Sequence, residues 1–392
     1  MNRIFGLVPN VFFLGLVSLF NDFSAEMIIA VMPAFLVSLG AAPVFIGFLE
    51  GFADALASIL KIISGWYSDK IQRRKIISVA GYSLSVFTRW ILYFVVSLWQ
   101  VFLLRAIDRV GKGFRDSPRD ALLAESVGKA ELGKSFGYQR AMDAFGGIFG
   151  PLTAVILLPL LMSDYRKLFL IAFIVGILGI ISFIPVREKP KELPPANSNP
   201  RSLTFSLRNF TAPFKLFLIS VFIFGLGAMP VSLIALKSSA LGDIGLYLPL
   251  MYLIYSISFA VFAVPFGRIS DAIGERSVII GGFASAVLSY LILAKADNFL
   301  VIAAGFVVFG LYSAMTNGVQ RAFASKLLGN DLQASGQGFL GAATGLSSLL
   351  AGLIGGSIWT FFGPEPAFYY GAVLMALGLL VFCSLNGFRK AV

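Results

Sequence analysis

Apolar runs of twenty or more residues recur from one end of the chain to the other, separated by short clusters of glycine, proline, asparagine and charge. About twenty such residues carry an α-helix across ~30 Å of hydrocarbon. Cutting the runs at turn residues and charge clusters predicts twelve helices, over 9–38, 43–67, 75–97, 99–126, 134–161, 166–186, 212–238, 244–270, 276–295, 298–326, 333–361 and 366–388. One polar interruption is long: REKPKELPPANSNPRSLTFSLRNF, at 187–210, is rich in Pro, Asn, Ser and charge and reads as a linker. The expected organisation is a six-helix bundle over 1–186, a cytoplasmic linker over 187–211 and a second six-helix bundle over 212–392.

Composition agrees with an all-α integral membrane protein. Of the 392 residues 58% are hydrophobic and 13% charged, against about 25% charged in a soluble domain. The net charge of +11 would suggest nucleic acid in a soluble chain, but here Lys and Arg concentrate in alternate loops, which is a topology signal. KIQRRK (70–75), GKAELGK (128–134), the central linker and FRK (388–390) fall on one side of twelve spans. A multi-pass protein of the cell (inner) membrane with both termini cytoplasmic is therefore expected, with the lipid bilayer and no nucleic acid as partner. Arg3 precedes an apolar run that continues past Asn21 and Asp22 with no small-residue cleavage site, so 9–38 reads as a span and not a signal peptide.

One cysteine and no histidine argue against a disulfide framework or a metal site. No nucleophile motif and no phosphate-binding loop is found, so neither an enzyme nor an ATP-driven pump is expected, and no cofactor.

The chain also repeats itself. GWYSDKIQRRK (65–75) closes the second span and GRISDAIGERS (267–277) the eighth, each with Gly, three residues, Asp and a basic cluster, 202 residues apart. Arg119 shifted by 202 lands on Arg321, and Gly137 and Ala141 match Gly338 and Ala342 at an offset of 201. A six-helix unit duplicated in parallel orientation has this signature.

Twelve spans, a 6+6 pseudo-repeat, a charged central loop and Gly-x-x-x-Asp after spans two and eight together resemble the major facilitator superfamily. The resemblance covers essentially the whole chain. Gly65, Asp69, Lys70, Arg73 and Arg74 match the family's loop signature; Gln72 replaces its second glycine, which the later copy keeps as Gly274. GGIFGP (146–151) contains Gly-x-x-x-Gly-Pro and is similar to the motif of the drug:proton antiporter branch, through Gly146, Gly150 and Pro151. Small residues one turn apart also serve simple close packing of helices. The family's fourth-span pattern, Arg followed by Gly-x-Gly, is met only loosely by Arg105 or Arg109 with Gly111 and Gly113.

Charge inside a span costs roughly 2.5–3.5 kcal/mol per residue at the helix centre, so its placement carries information. The first half holds eight acids and eight bases within its spans. RAIDRVGKGFRDSPRD (105–120) alone supplies eight of these sixteen groups. At the repeat positions of Asp22 and Asp143 stand Phe224 and Thr344, so polar chemistry belongs to the first half, and the second offers an apolar wall. Asp22 and Glu26 lie at i, i+4 on one helix face, as do Glu50 and Asp54. Paired carboxyls in a dry place can exchange a proton, and because the resemblance places the first span at the central cavity, it implies Asp22 and Glu26 as the proton-coupling candidates. Glu50 and Asp54 read equally as structural partners of the basic spine. The expected substrate cavity comprises Asp22, Glu26, Glu50, Asp54, Arg105, Asp108, Arg109, Lys112 and Arg115, and Arg89 has no evident partner. A cytoplasmic gate is expected from Gly65, Asp69, Arg73 and Arg119 in one half and Asp271 and Arg321 in the other.

These residues, with the resemblance, imply a monomeric secondary transporter that exports a small organic compound in exchange for protons by alternating access. Proton-coupled uptake, or transport of an organic anion clamped by Arg105, Arg109, Lys112 and Arg115, is the alternative.

Overall fold

A backbone held in hydrocarbon has no water to bond, so each apolar run must close its own hydrogen bonds as a helix. The computed structural model of the chain describes residues 3–71, 73–128, 131–188, 210–329 and 332–385, with backbone alone at 61–63, 65–71 and 334. Its helices are α1 (Pro9–Ile29), α2 (Met32–Ser38), α3 (Pro43–Ile71), α4 (Arg74–Ile91), α5 (Leu98–Glu125), α6 (Leu132–Leu160), α7 (Tyr165–Ile181), α8 (Ala212–Gly227), α9 (Val231–Ala235), α10 (Ile244–Ile273), α11 (Glu275–Lys295), α12 (Phe299–Thr316), α13 (Val319–Leu327), α14 (Gln333–Phe362) and α15 (Pro364–Cys383).

All twelve expected spans are present, three of them broken where continuous helices were expected. α1 and α2 form the first: Pro33, in the first turn of α2, has no N–H to continue the ladder. α8 and α9 form the seventh, parted at Ala228–Pro230, and α12 and α13 the tenth, parted at Asn317–Gly318, two poor helix formers. At the break before α9 the N–H of Met229 leaves the helical ladder and donates to the buried Tyr290 hydroxyl at 2.8 Å and to the Gly227 carbonyl at 3.1 Å. By length and hydropathy ten segments qualify as membrane spans. α5 is excluded by its charge and α7 by its 17 residues.

Two compact units emerge, one formed by Met1–Phe35 with Leu56–Arg201 and the other by Leu36–Ala55 with Ser202–Val392. In the first, α1 packs on α6 and α7, and α4 on α5. Leu14, Val17, Tyr82, Leu123 and Phe183 belong to its apolar core. One end of this unit is tied by polar contacts. Asn10 and the backbone of Arg187 exchange hydrogen bonds of 2.7 and 3.0 Å. The Glu188 carboxylate accepts from the N–H groups of Arg74 (2.5 Å) and Lys75 (3.1 Å), so an acid occupies the positive N-terminus of α4. The starts of α1 and α4 and the Arg187–Glu188 segment thus share one end.

In the second unit α8 packs on α14 and α15, and α12 on α10 and α11. The segment Leu36–Ala55 joins α14 through Gly47 and Gly352, where a Cβ on either residue would strike the other's carbonyl. Phe224, expected as part of an apolar wall, instead lies in the core. It stacks on Phe283 at 3.8 Å and sits 5.5 Å from Tyr312, since a ring at that depth gains more from facing rings than from an open surface.

Replacing Tyr290 by Phe removes one of the two acceptors of the Met229 N–H and leaves the Gly227 carbonyl at 3.1 Å. The expected loss is about 0.5–1.5 kcal/mol, seen as a lower melting temperature of the purified protein; an unchanged melting temperature would show that the Gly227 carbonyl alone suffices.

Candidate functional site

α5 is the charged spine of the first unit. Ser97 and Gln100 form a reciprocal capping box at its start. Gly111 lies against Gly81 of α4, where a Cβ would sit 2.6 Å from the Gly81 carbonyl. Gly113 meets Leu60 of α3 in the same way, and the Ser64 hydroxyl donates to the Gly113 carbonyl at 2.7 Å. These glycines bring α3, α4 and α5 close enough for side chains to reach across.

Four arginines of α5 are buried: Arg105, Arg109, Arg115 and Arg119. Three have an acid on their own helix, Arg105 with Asp108 (3.6 Å), Arg115 with Asp116 (3.7 Å) and Arg119 with Asp120 (2.8 Å). Arg119 also donates to Ser18 Oγ and Tyr82 Oη, each at 3.1 Å, and lies 4.0 Å from Asp143 on α6. Gln139 donates to Asp120 at 3.2 Å, and Arg140 reaches Asp143 at 3.4 Å. Arg119 is therefore held deep among α1, α4 and α6. The side chain of Asp69, its expected gate partner, lies outside the described residues, as do the other side chains of 65–69, whose backbone belongs to α3; Arg73 is exposed at the start of α4.

In the second unit the expected gate pair is not formed. Asp271 and Arg321 are both exposed and make no ion pair with each other. The ion pair at that end is Lys326–Glu275 at 2.7 Å, because Glu275 opens α11 as a buried acid whose charge needs a nearby cation.

A residue that sequence reasoning passed over organises the site. Asn21 of α1, 1% exposed, accepts at Oδ1 from Arg89 Nη2 (2.9 Å) and Arg115 Nη1 (3.1 Å), and its carbonyl accepts from Arg89 Nη1 at 3.4 Å. Arg89 on α4, without an evident partner in the sequence, is thereby accounted for. Arg115 also stacks over the Tyr82 ring at 4.5 Å. The signal that could have found Asn21 is an amide in mid-span, which hydrocarbon tolerates only with partners. Arg89, Arg105, Asp108, Thr88, Ala25 and Ile28 line a small cavity within this unit.

The two candidate coupling acids sit where α1 meets α6. Cβ atoms on Gly146 and Gly150 would approach Asp22 Cβ at 2.9 Å and Glu26 Cβ at 2.7 Å, with the α1 backbone equally near. The Gly-x-x-x-Gly of α6 is thus the seat of the acid-bearing stretch of α1. Asp22 is half-buried and accepts from the Asn21 amide at 3.1 Å; among the described residues no cation stands within ion-pair distance of it. Lys112 is half-buried on α5 and likewise makes no hydrogen bond or ion pair among the described residues. Glu50 and Asp54 belong to the segment grouped with the second unit, where Asp54 accepts from Ser348 of α14 at 3.3 Å. Among the described residues no cluster of metal-ligating side chains is found.

A family model for the Major Facilitator Superfamily matches residues 14–250 and 216–387. An uncharacterized MFS-type transporter of Methanocaldococcus jannaschii is 34% identical over 387 residues, covering 96% of this chain and 94% of its own. The multi-drug resistance efflux pump PmrA of Streptococcus pneumoniae is 26% identical over 304 residues, 74% of this chain and 73% of its own. The fold is shared with a solved variant of the nucleoside transporter NupG, at a TM-score of 0.81 and 15% identity over 97% of this chain and 100% of that one.

Substituting Asn21 by Leu leaves Arg89 and Arg115 without their shared acceptor. A loss of roughly 1–3 kcal/mol is expected, read as a fall in melting temperature, whereas Asn21→Asp, which keeps an acceptor oxygen, retains most of the wild-type value. Equal melting of Asn21→Leu and wild type would refute the bridging role.

Proposed function

Because the chain belongs to the Major Facilitator Superfamily, we propose that this multi-pass membrane transporter exports a small organic compound in exchange for protons, by alternating access. The observation that carries the reading is the state of Asp22. Asp108, Asp116, Asp120 and Asp143 each have an arginine within 4.0 Å, whereas Asp22 has a neutral amide. A carboxyl in mid-span without a fixed counter-charge is the one whose charge a proton or a cationic substrate can change at least cost. Glu26, one turn along the same face, is its companion in the exchange. The arginines are committed to structure, so the network keeps its shape while Asp22 changes its charge.

Export is supported by the Gly-x-x-x-Gly-Pro of α6 and by the likeness to PmrA, named as an efflux pump. Alternate-loop Lys and Arg support cytoplasmic termini in the cell membrane. A second reading, organic-anion transport, is favoured by Lys112, a half-buried cation free of partners among the described residues.

In proteoliposomes with an imposed pH gradient, Asp22→Asn is expected to lose gradient-driven transport by a factor of about 100, on the order of the effect of removing a proton-transfer group, while still exchanging substrate down its own gradient. Full uphill transport by that variant would exclude Asp22 as the coupling acid. Competition by simple organic anions that disappears in Lys112→Met would favour the second reading.

A further inference from the structure

A second polar site lies within the second unit. Lys237 follows α9 in a short 3-10 segment, Leu236–Leu241. It is 8% exposed. An ammonium has three donors, and the protein supplies one acceptor to this one, the Ala294 carbonyl at 3.4 Å. A buried cation so poorly bonded calls for an anion.

Space for one is present. Lys237 lines a cavity of about 700 Å³ with Ala294, Phe362, Glu365, Pro366 and Tyr369. The volume far exceeds a phosphate ion, and much of the lining is apolar or aromatic. The cavity lies where α11 and α14 end and α15 begins, at the end of α11 opposite its Glu275–Lys326 pair. Phe362 of its lining and Phe361, next to it in the chain, are 73% and 78% exposed, two large apolar rings that face outward. Glu365, exposed in the first turn of α15, lines the same cavity and forms no ion pair with Lys237. A group carrying both charges suits this lining better than a net anion.

We propose that this cavity binds the headgroup of a zwitterionic phospholipid, its phosphodiester on Lys237 and its ammonium on Glu365, with Phe361 and Phe362 among the acyl chains. The inference rests on the second unit alone and is independent of the transport reading.

The test uses the full-length protein, purified in detergent and supplied with phosphatidylethanolamine, phosphatidylglycerol or inorganic phosphate, with bound lipid counted by native mass spectrometry and stability followed by melting. Wild type is expected to retain phosphatidylethanolamine at least tenfold better than phosphatidylglycerol. Lys237→Met is expected to lower that retention tenfold, Lys237→Arg to preserve it, and Lys295→Met, which removes an exposed lysine at the same end, to leave it unchanged. Glu365→Gln, an exposed change that leaves the packing intact, is expected to abolish the preference between the two lipids even if Lys237→Met fails to fold. Equal lipid retention by wild type and Lys237→Met, equal loss in Lys295→Met, a preference that survives Glu365→Gln, or protection by inorganic phosphate without any by lipid would each overturn the proposal.

Discussion

A guanidinium inside a membrane span must find acceptors within the protein, and the structure of the first unit follows from how five of them do so. Arg89, Arg105, Arg109, Arg115 and Arg119 are all buried. Asn21 holds two at once through a single oxygen. That bridge requires α4 and α5 to lie close together beside α1, and Gly81 and Gly111 allow the first of these approaches by leaving no side chain between the two helices. A Lys would concentrate its charge on one nitrogen, whereas the planar fork of Arg119 spreads donors to Ser18, Tyr82 and Asp120 at once.

The duplicated half packs the positions equivalent to the α5 spine without charge. Val307, Leu311, Ala314 and Asn317 stand 202 residues after Arg105, Arg109, Lys112 and Arg115. The aromatic stack of Phe224, Phe283 and Tyr312 fills its interior. Small residues still set the helix approach: Ser347, the repeat mate of Gly146, lies against Gly225 of α8. One scaffold thus carries two interiors, with the buried arginine network in the first.

Much of the fold could be read from the sequence because apolar length is a strong constraint in lipid. The twelve spans follow from it, and so does the identification of 105–120 as the charged spine. The breaks in spans one, seven and ten were harder to see, since Pro33, Pro230 and Gly318 weaken a helix locally without shortening its apolar run. Arg89 and Asn21 could not be paired from sequence because their contact spans two helices and 68 residues. Repeat symmetry places Asp271 and Arg321 on equivalent helices without fixing their contacts: both are exposed here and make no ion pair with each other, while the buried Glu275 holds Lys326. Gly146 and Gly150 were legible as a motif, but only the structure shows them seated against Asp22 and Glu26.

If the arginine network is fixed and Asp22 is the acid that answers the substrate, substrate binding changes the carboxyl of Asp22 and leaves the arginine-paired acids as they are. Infrared difference spectroscopy of the purified protein on substrate addition at constant pH, with aspartate carboxyls isotopically labelled, reads this directly. The predicted result is a substrate-induced carboxyl difference band that is missing from Asp22→Asn. A difference band that persists in Asp22→Asn, or no aspartate band at all, would contradict it.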